Sequence, residues 1–383
     1  MDRPTQTFDF QPRTRLVFGA DSIERVGVLA RELGGKHALL VTDKGIVAAG
    51  HPTRAIGFIE AAGLHVTVFD EVRENPTTLD VARCVEVARA AGIDTIIGLG
   101  GGSSMDTAKG ANFLLTNGGE MKDYWGVGKA TREMLPLIAI PTTAGTGSEC
   151  QSFALISDET THQKMACGDP KAAARVAILD PLLTVSQPLR VTACTGIDAL
   201  AHAVETAVTK KRNPLSAMYS REAFRLCFGA LERVLRDSRD LDARSSMQLG
   251  AAFAGTAIEN SMLGAAHSAA NPLTAHYGIA HGQAVGLMLP RVVEFNARDP
   301  EAHNRYLDLA ILAGLEDVNE LISELETLLD VAGMRAGIAK FGVKADALPQ
   351  IAVEAAQQWT AGFNPRPVAA ADFEQLYAEA LGL

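Results

Sequence analysis

The sequence predicts an α/β domain built on a parallel sheet, followed by an all-α domain. Three observations carry this expectation. Over the first half, short apolar runs of strand length alternate with amphipathic stretches, the pattern of βαβ units whose sheet is covered on both faces. After Asp180-Pro181 the strand-like runs nearly vanish, and long alanine- and leucine-rich segments at period 3.6 take over. The chain has 383 residues, which exceeds one typical core and suits two domains. The change of pattern near 182–187 gives domains at 1–184 and 185–383.

The elements follow in order. Arg15-Leu16-Val17-Phe18 reads as a strand, and Asp21-Ser22-Ile23-Glu24 as a helix start with Asp21 at the N-cap and Glu24 completing a capping box. His37-Ala38-Leu39-Leu40-Val41-Thr42 and His65-Val66-Thr67-Val68-Phe69 are strands, and Thr77 caps a helix running to about Ala91. Thr95-Ile96-Ile97-Gly98 and Leu137-Ile138-Ala139-Ile140 are two more strands, and residues 152–180 hold shorter ones ending in Arg175-Val176-Ala177-Ile178-Leu179. In the second half, helices are expected over 214–235, 244–258, 300–314 and 317–333.

Composition excludes several partners. The net charge is −10, and the densest basic run, Lys210-Lys211-Arg212, reads as a solvated helix end. A nucleic-acid partner needs a basic face to neutralise phosphates. No apolar run approaches the roughly 18 residues that span a bilayer, and the opening Met1-Asp2-Arg3-Pro4-Thr5-Gln6 lacks the pattern of a secretory leader. The five cysteines (Cys84, Cys150, Cys167, Cys194 and Cys227) are odd in number, widely spaced and free of any CxxC. Free thiols in a reducing cytoplasm are therefore expected.

Two loops carry binding chemistry. Gly98-Leu99-Gly100-Gly101-Gly102-Ser103-Ser104-Met105-Asp106 follows a strand and opens a helix. Glycines let the backbone approach a diphosphate, and a helix N-terminus adds N–H donors and the positive end of the dipole. The loop follows roughly the fourth strand, whereas the usual dinucleotide fingerprint follows the first and has its acidic residue about 20 positions later. Here the acidic candidate, Asp43, precedes the loop. It reads equally as an acceptor for an adenosine ribose, favouring NAD over NADP, or as the N-cap of the segment from Lys44. Pro141-Thr142-Thr143-Ala144-Gly145-Thr146-Gly147-Ser148-Glu149 also follows a strand. It is either a polar turn or a set of hydroxyls and amides for the same ligand.

Gly196-Ile197-Asp198-Ala199-Leu200-Ala201-His202 lies in a helical context, so Asp198 and His202, at i and i+4, share one face. Alone, the pair reads most simply as a hydrogen bond. His267 and His281 arrive later among alanines and glycines, where an unpartnered imidazole is costly. One carboxylate with three imidazoles suits Fe(II), Zn(II) or Ni(II), and a catalytic site leaves a position open for substrate. His276, in the same stretch, either hydrogen-bonds locally or faces a substrate.

GGGSSMD at 100–106, PTTAGTGSE at 141–149, GIDALAHAVE at 196–205 and HSAANPLTAHYGIAHG at 267–282 together resemble the iron-containing (group III) alcohol dehydrogenase family, which includes lactaldehyde reductase and 1,3-propanediol dehydrogenase. The likeness runs from the first strand to Asn364-Pro365-Arg366. It implies a Rossmann-like nucleotide-binding domain plus an all-α C-terminal domain, an architecture shared with dehydroquinate synthase. It also implies a cytoplasmic homodimer that moves hydride between NAD(H) and a small alcohol, aldehyde or ketone. Carried over by motif, the metal ligands are Asp198, His202, His267 and His281. The cofactor contacts are Asp43, Asn75, Gly101, Gly102, Ser103, Asp106, Thr142, Thr143, Thr146 and Lys164.

The chain departs from the family in one place: many members have HxxxH where it has His267 and then Asn271. An amide cannot pass a proton as an imidazole does, so His276 is expected to take that role. Phe253, Trp359 and Phe363 are expected to shape the substrate pocket, in the cleft between the domains. Two other readings remain: a dehydroquinate synthase-like lyase using NAD transiently, and a metal- or nucleotide-binding protein without catalysis.

Overall fold

The computed structural model describes residues 7–161 and 163–382; the opening Met1-Asp2-Arg3-Pro4-Thr5-Gln6 read above lies outside them. Contacts divide the chain into two compact units, Gln11–Gln187 and one that begins at Pro188, with residues 7–10 belonging to the second. The crossing falls between Gln187 and Pro188, at the end of the 182–187 stretch where the sequence pattern changes.

In the α/β unit the elements are β1 (Arg15–Phe18), α1 (Val26–Glu32), β2 (His37–Val41), α2 (Lys44–Ala48), α3 (His51–Ala61), β3 (His65–Phe69) and α4 (Thr78–Ala91). There follow β4 (Thr95–Gly100), α5 (Gly102–Asn117), β5 (Gly126–Val127), β6 (Leu137–Pro141), β7 (Phe153–Ser157), β8 (Lys164–Gly168) and β9 (Val176–Leu179). Six strands form one parallel sheet in the order β1-β9-β6-β4-β2-β3. β5, β8 and β7 make a small second sheet. Strand side chains alternate between faces, and both faces are covered. Leu39, Val41 and Ile96 pack in one apolar cluster with Val81 and Ala108 from α4 and α5. Ala38, Leu40 and Ile97 pack in another with Leu29 and Ile59 from α1 and α3. β4 is buried along its whole length.

This strand order places the glycine loop. From β2 the chain first steps outward to β3, then returns to lay β4 on the other side of β2. The carboxyl ends of β2 and β4 therefore flank the point where strand order reverses, the usual ligand crevice of an open parallel sheet. Val41 pairs with Gly98, so Asp43 and Gly100 leave the sheet side by side.

One predicted start differs. Asp21 does not cap a helix: its backbone is left-handed (φ 59), and only a short 3-10 turn, Ser22–Arg25, precedes α1. The acceptor comes from the other end of the unit. Asp180, fully buried, takes the N–H groups of Asp21 at 3.2 Å and Ile23 at 3.3 Å, while Asp21 pairs with Arg54 at 3.0 Å. Pairing of β1 with β9 brings the two segments together, which local spacing does not encode. The start at Thr77 is as expected, with Asp80 taking both its N–H and its hydroxyl at 2.9 and 3.0 Å.

The second unit is helical: α6 (Leu189–Thr206), α7 (Pro214–Arg236), α8 (Leu241–Ser261), α9 (Ala265–Tyr277), α10 (His281–Asn296), α11 (Pro300–Leu312), α12 (Val318–Val331), α13 (Leu348–Gln357) and α14 (Ala370–Leu381). Among the described residues no helix is long and apolar enough to cross a membrane. All five cysteines are free, with Cys194 half-buried and the others buried.

Candidate active site

The glycine loop and the threonine loop are built against each other. A Cβ at Gly102 would stand 2.8 Å from Thr146 Cγ2, and one at Gly101 3.5 Å from Thr143 Cγ2. Only glycine at 102 lets the threonine loop lie so close to the start of α5. Thr142 donates its N–H to Gly100 at 2.9 Å. Beneath the loops, Lys109 is wholly buried and donates to Ser148 O (2.6 Å), Ser148 Oγ (2.8 Å) and Phe153 O (3.0 Å); Ser148 Oγ in turn donates to Asp106 at 2.8 Å.

The cofactor residues named from the sequence divide accordingly. Gly101, Gly102, Ser103, Thr143 and Thr146 are partly exposed at this surface, and the first-turn N–H groups of a helix have no partner within it. Asp43 is an N-cap and also lies beside the glycine loop. One carboxylate oxygen caps α2 by accepting the Ile46 N–H at 3.0 Å, and the other lies 3.5 Å from where a Cβ on Gly100 would be. Asp106 faces inward to Ser148, and burial pushes its carboxyl above the usual range. Through Ser148 it ties the start of α5 to the threonine loop. Asn75 is exposed with a left-handed backbone (φ 54), and Lys164 is exposed on β8. Sequence reasoning passed over the buried hydroxyls of Thr42 and Ser104, which, with that of Thr142, have no hydrogen-bond partner. A cradle lined by glycine, with such hydroxyls beside it, fits a polar phosphate-bearing ligand.

The four predicted metal ligands converge. Asp198 and His202 project from one face of α6, His267 stands in the first turn of α9, and His281 opens α10. Asp198 Oδ1 lies 3.3 Å from His267 Nε2, 3.5 Å from His202 Nε2 and 3.9 Å from His281 Nε2. The rings of His202 and His267 stack at 4.7 Å. Gly282 makes this possible: a Cβ there would stand 2.0 Å from the Cys194 carbonyl oxygen, one turn ahead of Asp198 on α6. The first turn of α10 thus rests on bare backbone, bringing His281 beside Asp198.

Electrostatics points to a cation. Asp198 Oδ1 and His267 Nε2 are buried, yet neither makes a hydrogen bond of proper geometry. The short approach between them is a charge contact, and the donor set fits a divalent metal. Burial alone would raise the Asp198 carboxyl, but the charges of His202, His267 and His281 hold it well below the usual carboxylate range. Burial alone would lower His267; the negative charges of Glu205 and Asp198 outweigh it and lift the imidazole to about 9. His281 is 31 % exposed whereas Asp198, His202 and His267 are nearly covered, so the open side of the cluster is at His281.

Residues 12–181 match the family described as iron-containing alcohol dehydrogenase, and residues 192–381 match the C-terminal domain of the Fe-containing alcohol dehydrogenase family. Alcohol dehydrogenase 4 of Schizosaccharomyces pombe is 36% identical over 86% of this chain and 78% of its own. The NAD-dependent methanol dehydrogenase of Bacillus methanolicus is 33% identical over 95% of this chain and 97% of its own. A crystal structure of 1,3-propanediol oxidoreductase superposes with a TM-score of 0.93 at 32% identity, covering 98% of this chain and 100% of that one. The chain belongs to the iron-containing alcohol dehydrogenase family. It is an NAD-dependent, metal-containing alcohol oxidoreductase, and the lyase and non-catalytic readings are set aside.

The structure places His276 and Asn271 as follows. His276 is not at the metal cluster: it sits on the last turn of α9, 42 % exposed, with Nε2 2.6 Å from Glu354 Oε2. It forms a surface ion pair with Glu354. Asn271 shares its helix face with His267 and donates to Gln358 Oε1 at 3.0 Å. Sequence reasoning also missed Glu205, although it closes the GIDALAHAVE motif. Its carboxylate, buried on α6, contacts His267 Nδ1.

Two outcomes follow. An imidazole must be neutral to bind a metal, and His267 holds its proton to about 9 in the metal-free chain. The metal affinity of the metal-free protein is therefore expected to rise with pH and level off above about 9, as read by titration against a competing chelator. His276→Gln is expected to leave kcat/KM and its pH profile within about twofold of wild type, the usual scale for an exposed ion pair.

Proposed function

We propose that the enzyme interconverts a small alcohol and its aldehyde or ketone. In this reading Asp198, His202, His267 and His281 hold a divalent metal, and the loops after β2, β4 and β6 hold NAD(H). One observation carries the reading: three imidazole nitrogens lie within 3.9 Å of one oxygen of a buried carboxylate. The bound cation supplies Lewis acidity toward the reacting oxygen, and NAD accepts or returns the hydride. Iron is the expected native metal from the family description, and the same ligands also suit zinc or nickel.

The chain's own residues do the rest. Asp198 stays ionised and supplies the negative charge, and His267 is held with one ring nitrogen on Glu205 and the other toward Asp198. Gly101, Gly102 and Ser103 offer backbone to the diphosphate, while Thr142, Thr143 and Thr146 offer hydroxyls and amides. Asn75 and Lys164 are further contacts on the family pattern. Asp43, beside Gly100, accepts from a ribose hydroxyl and repels a 2′-phosphate, which selects NAD over NADP. Trp359 and Phe363 meet edge to face at 5.9 Å, and Phe253 packs on Tyr219 at 5.6 Å. These aromatic groups suit a small, largely apolar substrate. The relatives that act on methanol and 1,3-propanediol support primary alcohols as the class.

His267→Ala is expected to lower turnover at least a thousandfold and to abolish tight metal binding, while NADH binding, followed by fluorescence, persists. Full turnover by that variant in the absence of metal would overturn the assignment. Asp43→Ser is expected to raise the ratio of kcat/KM for NADP over NAD at least tenfold. A ratio unchanged from wild type would remove Asp43 from cofactor selection.

A further inference from the structure

Helix α9 carries His267 in its first turn but has no cap of its own, because its N-cap residue is Gly264. The N–H groups of a first helical turn need acceptors when buried. Two side chains from elsewhere in the helical unit supply them. Glu205, near the end of α6, accepts the Ala266 N–H at 2.8 Å through Oε1 and meets His267 Nδ1 through Oε2. Asn364, from the Asn364-Pro365-Arg366 segment, accepts the Ala265 N–H at 3.2 Å. The missing side chain at Gly264 makes room, since a Cβ there would stand 3.0 Å from Asn364 Oδ1 and 3.1 Å from Glu205 Oε1.

Asn364 reaches further. Its Oδ1 also accepts from Asn296 Nδ2 at 3.0 Å, and its Nδ2 donates to Asn296 Oδ1 and to Arg366 O, both at 2.7 Å. Both donors and both acceptor positions of this buried amide are used. Asn296 is the last residue of α10, the helix that His281 opens. Arg366 fastens the segment from its far side, with its guanidinium 3.8 Å over the Phe295 ring and Nη1 donating to Phe295 O at 3.0 Å. Asn364 thus ties the start of α9 to the end of α10, and Glu205 ties the start of α9 to α6.

We propose that Glu205 and Asn364 are positioning residues of the metal centre, which cap α9 from outside so that His267 presents Nε2 to Asp198. Neither is a ligand. Glu205 fixes the ring through Nδ1, as carboxylates do for metal-bound imidazoles elsewhere. Asn364 holds the backbone that carries the ring and registers it against α10.

The inference rests on reading the Asp198 cluster as a metal site. The full-length chain, stripped of metal, is titrated with Zn(II) against a competing chelator, and the visible spectrum of its Co(II) form is recorded, for wild type, Glu205→Gln and Asn364→Asp. The second substitution sets carboxylate oxygen against Asn296 Oδ1 and Arg366 O, where the amide donates. Both variants are expected to bind Zn(II) about 10–100-fold more weakly and to shift the Co(II) bands, with the far-UV circular dichroism of the metal-free chain unchanged. Wild-type affinity and an unaltered Co(II) spectrum in the variants overturn the proposal, even if their melting temperature falls, because that is the signature of a purely structural cap. Should Glu205→Gln not fold, Asn364→Asp decides alone. A wild-type chain that takes up no metal overturns the metal centre itself and the proposal with it, so the two failures are told apart.

Discussion

Asp198 is a carboxylate kept ionised away from water, and the core of the helical unit is organised around the charges that make this tolerable. A buried, unpaired ion costs several kcal/mol, so α6 can bury Asp198 only where imidazoles gather round it. His202 lies one turn along the same helix. His267 and His281 come from two other helices, each ending its approach at the same carboxylate oxygen. The glycines at 264 and 282 and the alanine-rich sequence around them then have a clear reason. Helices that must meet at side-chain nitrogens within 3.9 Å of one oxygen need backbones in near contact, and larger side chains would hold them apart.

A second carboxylate completes the balance. Glu205 lies on α6 seven residues beyond Asp198, but its charge acts on the opposite nitrogen of His267. The imidazole is thus held between two carboxylates, which both orients it and raises its proton affinity. The same carboxylate satisfies a backbone N–H of α9. One side chain therefore serves helix capping, ring orientation and charge neutralisation together, and α6 and α9 are not independently adjustable.

The α/β unit solves a different problem, the close approach of two loops to one another and to a ligand backbone. Its solution is a buried lysine. Lys109 gathers the carbonyls of Ser148 and Phe153 with the Ser148 hydroxyl, and through that hydroxyl reaches Asp106 at the start of α5. The end of the threonine loop is tied to the helix that the glycine loop opens. The glycine surface can then stay bare for a ligand, because the loops derive their rigidity from beneath.

Much of this was legible in the sequence, and the misses have a common form. Strands and helices with strong periodicity, such as β2, β4 and α7, lie where their patterns put them, because burial of an apolar stripe or face is a local property. The ligand candidates were legible because histidine and aspartate are conspicuous among alanines. The placements of Asp21, His276, Asp106 and Glu205 were not legible because each depends on a partner distant in sequence: Asp180, Glu354, Ser148 and His267 respectively.

By itself the sequence determined the two-part architecture, the glycine and threonine loops and the residue types able to hold a metal, since periodicity, glycine content and donor chemistry are carried within short windows. Tertiary structure decided which of those polar groups face one another. It placed Asp43 beside Gly100 by putting β4 next to β2, sent His276 to the surface and Asp106 inward, and made Asn364 a bridge between α9 and α10. The physical reason is that hydrogen bonds and charges act over a few ångströms in space, and only the packing of the whole chain sets which atoms come within that distance.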